Sequence, residues 1–395
     1  MMLPNDKKLC SATLPSDVLS NLPENVLDDI LIRMPLRDVV GTSILSKKWR
    51  YNWCRLPELT LDQTLWDSTN ESIPFVTRFT DIIYHLLVLH VGPITKFILS
   101  DIANLGNYSK IDNLVMFLSR NAFIYLQGFS ELVSFELCEV TISSEMLGSL
   151  ISHIQLLEKL VLRISSILNY IQIDAPKLKS FDFTGNINIL SLGKAPFLVK
   201  LSLVNTAATL KAGKHLSKYF EFCPALEHLH LDYSSLQFLA AGSDDIAAKL
   251  SSPLNCLKCL CLSEICLDES VELSFALCLI RSSPYLQDIQ MKIDHSALDK
   301  LVVPVSVDVV NEIPSSFSDV TLDYLRSVKL EGITGTKTEI EFIKLLLSKS
   351  PVLVRVLIQQ KIANVSAETR LKVVTQITKF PRASPKAEVD YNSGV

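Results

Sequence analysis

The sequence predicts an α/β chain: three short N-terminal helices, then a solenoid of parallel strands with helices on its convex face, then a C-terminal α/β cap. Three observations predict it. Apolar residues recur at helical spacing between residues 16 and 60. The phrase L-x-x-L-x-L, with Ile, Phe, Val or Met allowed at its apolar positions, starts ten times from Leu56 to Leu325. A strand–turn–helix–strand pattern with its own helix cap follows near the C-terminus.

Composition narrows the classes before any element is placed. The 395 residues are 48% hydrophobic and 20% charged. Lys and Arg total 38 against 42 Asp and Glu, a net charge of −4, and mean hydropathy is +0.29. Such a chain is too apolar to stay disordered. Its pI of about 6.0 argues against a nucleic-acid partner held by bulk charge. Twelve glycines and 17 prolines exclude collagen-like and low-complexity classes. The positive hydropathy invites a membrane reading, but the apolar stretches are short. Residues 82–91 contain His85 and His90, and 273–280 stop at Arg281, whereas a spanning helix needs about 20 apolar residues. No membrane partner is expected. The opening MMLPNDKKLCSATLPSD lacks the apolar core of a signal peptide, which predicts the nucleus and/or cytoplasm. The nine cysteines are then read as reduced thiols.

In the first helical unit, Pro23 fits a first helical turn, where its missing N–H costs nothing. Val26, Leu27, Ile30, Leu31 and Met34 share helical spacing, and Pro35 ends that helix. A second helix is expected from Leu36 to about Ser43. A third is expected from about Leu45 to Trp53, with Leu45, Trp49 and Trp53 at i, i+4 and i+8. So small a unit cannot bury all of this surface itself, so the rest of the chain or a partner must cover it. The run Leu22-Pro23-Glu24, Ile30-Leu31, Met34-Pro35-Leu36 and Ser43-Ile44-Leu45-Ser46-Lys47-Lys48-Trp49-Arg50 resembles a plant F-box. That resemblance implies docking to the Skp-type adaptor of cullin-based ubiquitin ligases. It places Leu22, Pro23, Ile30, Leu31, Leu36, Val39 and Trp49 at or just beneath the adaptor interface, about half of them mainly as core. The cluster Lys47-Lys48-Trp49-Arg50 is read as a solvated helix face in preference to a localisation signal.

The ten phrases start at residues 56, 94, 132, 157, 178, 198, 226, 257, 286 and 325. Their intervals of 20 to 39 residues bracket the length of a leucine-rich repeat. Alternate residues of a strand face opposite ways, so the last two apolar positions point inward and the residues beside them outward. Ala175-Pro176, Ala195-Pro196, Cys223-Pro224 and Ser283-Pro284 suit the turn leading into a strand. Residues 111–120 and 275–281 are candidate convex-side helices. The recurring A/C/S-P-x-L-x-x-L phrase resembles the leucine-rich repeats of plant F-box proteins over about residues 90–300. The outward residues Lys159, Ser180, Asp182, Lys200, Ser202, His228, His230, Asp288 and Gln290 are candidate contacts to a target protein.

At the C-terminus Thr336 is an N-cap and Glu339 completes a capping box. Ile340, Ile343 and Leu347 share one face of the helix that follows, Pro351 closes it, and a last helix runs from Ser366 to about Thr378. With Phe380-Pro381-Arg382-Ala383-Ser384-Pro385 this segment resembles the FBD domain of plant F-box leucine-repeat proteins. The expected organisation is residues 16–60, 61–320 and 321–381, with loose tails at 1–15 and 382–395.

Three clusters suggest other chemistry. Gly332-Ile333-Thr334-Gly335-Thr336-Lys337 fails as a P-loop, because only two residues separate the glycines and Lys does not follow the second. Cys256, Cys259, Cys261 and Cys266 lack the two paired units of a structural zinc site, and His228 and His230 lack a third ligand nearby in sequence. No metal, cofactor or catalytic residue is expected. The resemblance implies the substrate-recognition subunit of a Skp–cullin–F-box ligase, linked through the adaptor to cullin and RING subunits. A leucine-rich-repeat scaffold without a ligase role is the alternative.

Overall fold

In a computed structural model the described residues are 22–62, 65, 75–100, 129–193, 195–205, 220–240, 249–294, 317, 320–360 and 367–392. The expected tail 1–15 and helix 111–120 lie outside them.

Six of the leucine phrases start their strands by one local device. The leading leucine closes a three-residue turn: Leu178, Leu198, Leu226, Leu257, Leu286 and Leu325 donate to the carbonyls of Ala175, Ala195, Cys223, Leu254, Ser283 and Leu322 at 3.1–3.2 Å. All six leucines are buried. The next two N–H groups then reach one carbonyl of the preceding coil, as Val199 and Lys200 do with Lys179 at 2.8 and 2.9 Å. A strand begins at the third residue of all ten phrases: β1 (Glu58–Leu61), β2 (Lys96–Leu99), β3 (Ser134–Val140), β4 (Lys159–Leu168), β6 (Ser180–Ile187), β8 (Lys200–Asn205), β9 (His228–Asp232), β10 (Cys259–Ile265), β11 (Asp288–Ile293) and β12 (Ser327–Ile333). Two more strands join them, β13 (Arg355–Gln360), which repeats the phrase at Leu353, and β14 (Glu388–Asn392). The twelve form one sheet in the order β1-β2-β3-β4-β6-β8-β9-β10-β11-β12-β13-β14, with every pairing parallel. A separate pair, β5 (Ile171–Ile173) and β7 (Leu190–Leu192), lies beside it.

Inward side chains from neighbouring strands stack into one core, including Phe97, Phe135, Phe181, Phe183, Leu229 and Leu260. The helices between strands are α3 (Phe75–Leu89), α4 (Ser144–Ser152), α5 (Tyr233–Ala240), α6 (Ser270–Arg281), α7 (Lys337–Lys349) and α8 (Ala367–Thr378). The expected helix at 275–281 is the second half of α6. Residues 388–392 were expected in a loose tail. They form β14 instead, because Val389 and Tyr391 continue the apolar alternation and pair with Val356 and Ile358. Ser384 secures the turn before it by donating to the Leu353 carbonyl at 2.6 Å.

The N-terminal unit has two α-helices, α1 (Glu24–Leu31) and α2 (Leu36–Gly41), where three were expected. Pro23 sits one residue before α1 and its carbonyl accepts from Val26 and Leu27, both at 3.1 Å. The third helix is replaced by turns and short 3-10 segments at Thr42–Ile44 and Asn52–Arg55. Trp49, Asn52 and Cys54 donate to carbonyls three residues back, and Tyr51 at φ −123° and ψ 11° leaves helical geometry. Trp49 and Trp53 are both buried while Leu45 is exposed, so the three never share one face.

Three strands carry a bulge at the same place. The register shifts at Glu139 in β3, Glu264 in β10 and Gly332 in β12, with φ of 55°, 59° and 82°. Left-handed backbone costs a non-glycine residue about 1 kcal/mol. At 332 a Cβ would also strike the carbonyl oxygen of Ile293, so glycine is required there.

Glu272 in α6 is a buried carboxyl whose Oε2 accepts from the Cys266 N–H at 2.6 Å. Burial pushes its pKa up to about 7; the nearby Glu269 charge adds to this and the Cys266 bond opposes it. The folded state therefore holds this proton more tightly than the unfolded chain. The resulting stability is complete below the unfolded pKa near 4.5 and is lost as pH rises through about 7. Between pH 5 and pH 8 the wild type should lose about 2–3 kcal/mol relative to Glu272→Gln. Denaturant titrations across that range test this, and parallel pH slopes for the two proteins would refute it.

Candidate functional site

Two surfaces follow from this architecture. The first is the outer side of the N-terminal unit. α1 turns Leu27 and Leu31 inward and leaves Asn25, Asp29 and Ile30 outside. Arg55 ties the last turn back to α1 through Glu24 at 2.9 Å and Asp28 at 3.6 Å. Of the seven residues predicted to bind the adaptor, Leu31, Leu36, Val39 and Trp49 are buried in the core. Leu22 is half-buried, and Pro23 and Ile30 are exposed. The exposed apolar surface is larger than those two residues. Of the 19 large hydrophobic side chains exposed among the described residues, six lie between residues 30 and 51: Ile30, Ile32, Met34, Ile44, Leu45 and Tyr51. Ile44 and Leu45, 88% and 64% exposed, were not among the predicted contacts. The expected third helix hid this, because it put Leu45 on one apolar stripe with Trp49 and Trp53.

The second surface is the outward face of the sheet. The nine predicted target contacts fall into two straight rows across adjacent strands. One row reads Lys159, Ser180, Lys200, His228, Cys259, Asp288, and the other Val161, Asp182, Ser202, His230, Cys261, Gln290. Lys159, Lys200, His228 and Gln290 are exposed, and Ser180, Asp182, His230 and Asp288 are half-buried. Ser202 departs from the expectation: it is buried, with Oγ 3.1 Å from His230 Nδ1. The other ring nitrogen, Nε2, lies 3.0 Å from Ser263 Oγ. Both imidazole nitrogens are therefore engaged within the sheet. Burial lowers the His230 pKa, with Lys200 adding to this and Asp232 and Asp182 opposing it, which keeps the ring neutral at neutral pH. Lys159 is likewise held, 2.7 Å from Glu136.

The clusters that suggested other chemistry have local explanations. Register sets Cys259 beside His228 and Cys261 beside His230, but burial pushes both thiols up and so keeps them protonated. Among the described residues no three His, Cys, Asp or Glu side chains are placed to hold a metal ion. In the P-loop-like turn, Glu339 occupies the amides that a phosphate would need: Thr334, Gly335 and Thr336 donate to its Oε2 at 3.0, 2.6 and 3.0 Å. Among the described residues no helix is long and apolar enough to cross a membrane.

Residues 19–60 match the F-box domain family. The chain is 28% identical to F-box/FBD/LRR-repeat protein At1g13570 of Arabidopsis thaliana over 416 aligned positions, covering 94% of this chain and 98% of the relative. F-box/LRR-repeat protein At4g14096 of the same plant is 27% identical over 55% of this chain and 40% of its own. F-box/LRR-repeat protein 13, also from Arabidopsis thaliana, is 42% identical over 16% of this chain and 14% of its own. The chain thus carries an F-box domain and has F-box/FBD/LRR-repeat proteins of Arabidopsis thaliana as homologues.

Proposed function

We propose that the chain is the substrate-recognition subunit of a Skp–cullin–F-box ubiquitin ligase. One observation carries the reading: within the F-box match, six exposed apolar side chains gather in 22 residues. Residues 16–60 hold the Skp-type adaptor, and through it the cullin and RING subunits. Residues 61–320 form a leucine-rich-repeat solenoid that holds a target protein, and residues 321–381 close it as an FBD unit. The chain contributes no catalytic group. It acts by raising the local concentration of target lysines near the ubiquitin-loaded conjugating enzyme. The site of action is the nucleus or cytoplasm.

The N-terminal helices also cap the first coil, as a scaffold without ligase function would require. Leu31 and Val39 share one core with Leu59 and Leu61, and Val91 donates to the Cys54 carbonyl at 2.6 Å. The inner side of the unit caps and the outer side remains for the adaptor, so the two roles coexist. The deciding assay is capture of a purified plant Skp-type adaptor by the full chain and by Leu22→Ala/Pro23→Ala. Wild type should bind and the double variant should lose at least about tenfold in affinity. An inert wild type, or a variant that binds equally, leaves the scaffold reading.

A further inference from the structure

The residue just before each leading leucine lies three positions ahead of the strand start. Strand register therefore sets these residues in one row along the starting edge of the sheet: Phe197, Ala225, Cys256, Tyr285, Tyr324 and Val352, one from each of β8 to β13. Contact along the row is direct, since the rings of Tyr285 and Tyr324 lie 5.0 Å apart at 54°. Phe197, Tyr285, Tyr324 and Val352 are 58%, 47%, 47% and 43% exposed. At a strand spacing of about 4.8 Å the ridge is about 24 Å long. Lys177 occupies the same row on β6 and ends the apolar stretch with an exposed cation that has no ion pair among the described residues.

The outward sheet face offers less to a partner. Several of its polar groups already satisfy one another, in Lys159–Glu136, Ser202–His230–Ser263, Lys329–Glu331 and Arg355–Asp390. A protein covering them removes water without adding bonds, whereas aromatic side chains at a rim can be buried with full gain. Glu227, beside the ridge, is likewise neutralised by Lys258 at 2.7 Å.

We propose that the target protein docks along this ridge, through an apolar segment that ends in a carboxylate over Lys177. This rests on the reading of the chain as a target-recognition subunit. The test places a photo-crosslinking phenylalanine analogue at Tyr285 or Tyr324, or on the sheet face at Lys200 or Gln290, in the full chain expressed in plant cells with the proteasome blocked. An adduct counts only if the same protein is ubiquitinated with the wild-type chain and not with Leu22→Ala/Pro23→Ala. The ridge positions should yield that adduct at least about tenfold above the face positions. Tyr285→Ser/Tyr324→Ser and Lys177→Glu should each cut its ubiquitination several-fold with adaptor capture unchanged. Adducts from Lys200 or Gln290 alone overturn the ridge and leave the ligase reading standing. If no protein is both crosslinked and ubiquitinated, both fall.

Discussion

Ile30→Asp is expected to weaken binding to a Skp-type adaptor by about 100-fold or more while leaving the thermal midpoint within a degree or two of wild type. Its sequence neighbour should do the opposite. Leu31→Ala should cost about 2–5 kcal/mol of stability, and adaptor binding should fall only as far as folding does. The contrast follows from α1, which sends the two adjacent residues to opposite sides. Ile30 is 39% exposed and Leu31 is 1% exposed. A carboxylate at position 30 stays hydrated in the free chain, so folding does not feel it. In a complex it would be dehydrated with nothing to pair with, and the penalty appears wholly in affinity. Calorimetric titration with the adaptor, beside thermal melts of both variants, separates the two effects. If Ile30→Asp binds as tightly as wild type, the docking face lies elsewhere on the unit.

The same contrast shows what could be read in advance. The strand starts were legible because they are set by neighbours in sequence: a turn, a leucine that closes it, and two inward side chains in the next five residues. All ten phrases start a strand at their third residue, and the closing turn bond is present at Leu178, Leu198, Leu226, Leu257, Leu286 and Leu325. The replacement of the third N-terminal helix by 3-10 turns was not legible, because the spacing of Leu45, Trp49 and Trp53 fits a helix equally well on paper. Consecutive 3-10 turns bury both tryptophans and leave Leu45 in solvent. β14 was missed for a related reason: a five-residue strand with Glu388 and Asp390 on its outer side looks like a polar tail until β13 supplies its partner. On the sheet face, alternation placed all nine candidate residues on the side of the sheet away from the core. Alternation is silent about what lies on the adjoining strands, and those neighbours tie up Ser202 and His230. The ridge has the same character: every one of its residues is unremarkable in sequence and gains meaning only when strand register aligns it with the next.

Glu339→Ala should produce a large loss of stability from a single side chain, about 3–4 kcal/mol. Glu339 is fully buried. Its carboxylate accepts from three successive backbone N–H groups at the start of α7, and Thr336 Oγ1 accepts in return from the Glu339 N–H at 3.3 Å. Alanine removes all three acceptor contacts at once, and it does so where the helix dipole already favours negative charge. Part of the loss is recovered because the loop amides are only half-buried and water can reach them. Thr336→Ala removes one neutral acceptor and should cost about 1 kcal/mol. Glu339→Gln keeps one oxygen but loses the charge, and should fall between the two. The consequence reaches beyond the cap, since α7 carries Ile340, Phe342, Ile343, Leu346 and Leu347 into the core. Denaturant unfolding gives the order of the three variants, and amide exchange across residues 337–349 should quicken in Glu339→Ala before the rest of the sheet opens. If Glu339→Ala lies within about 1 kcal/mol of wild type, the carboxylate is not what holds this loop.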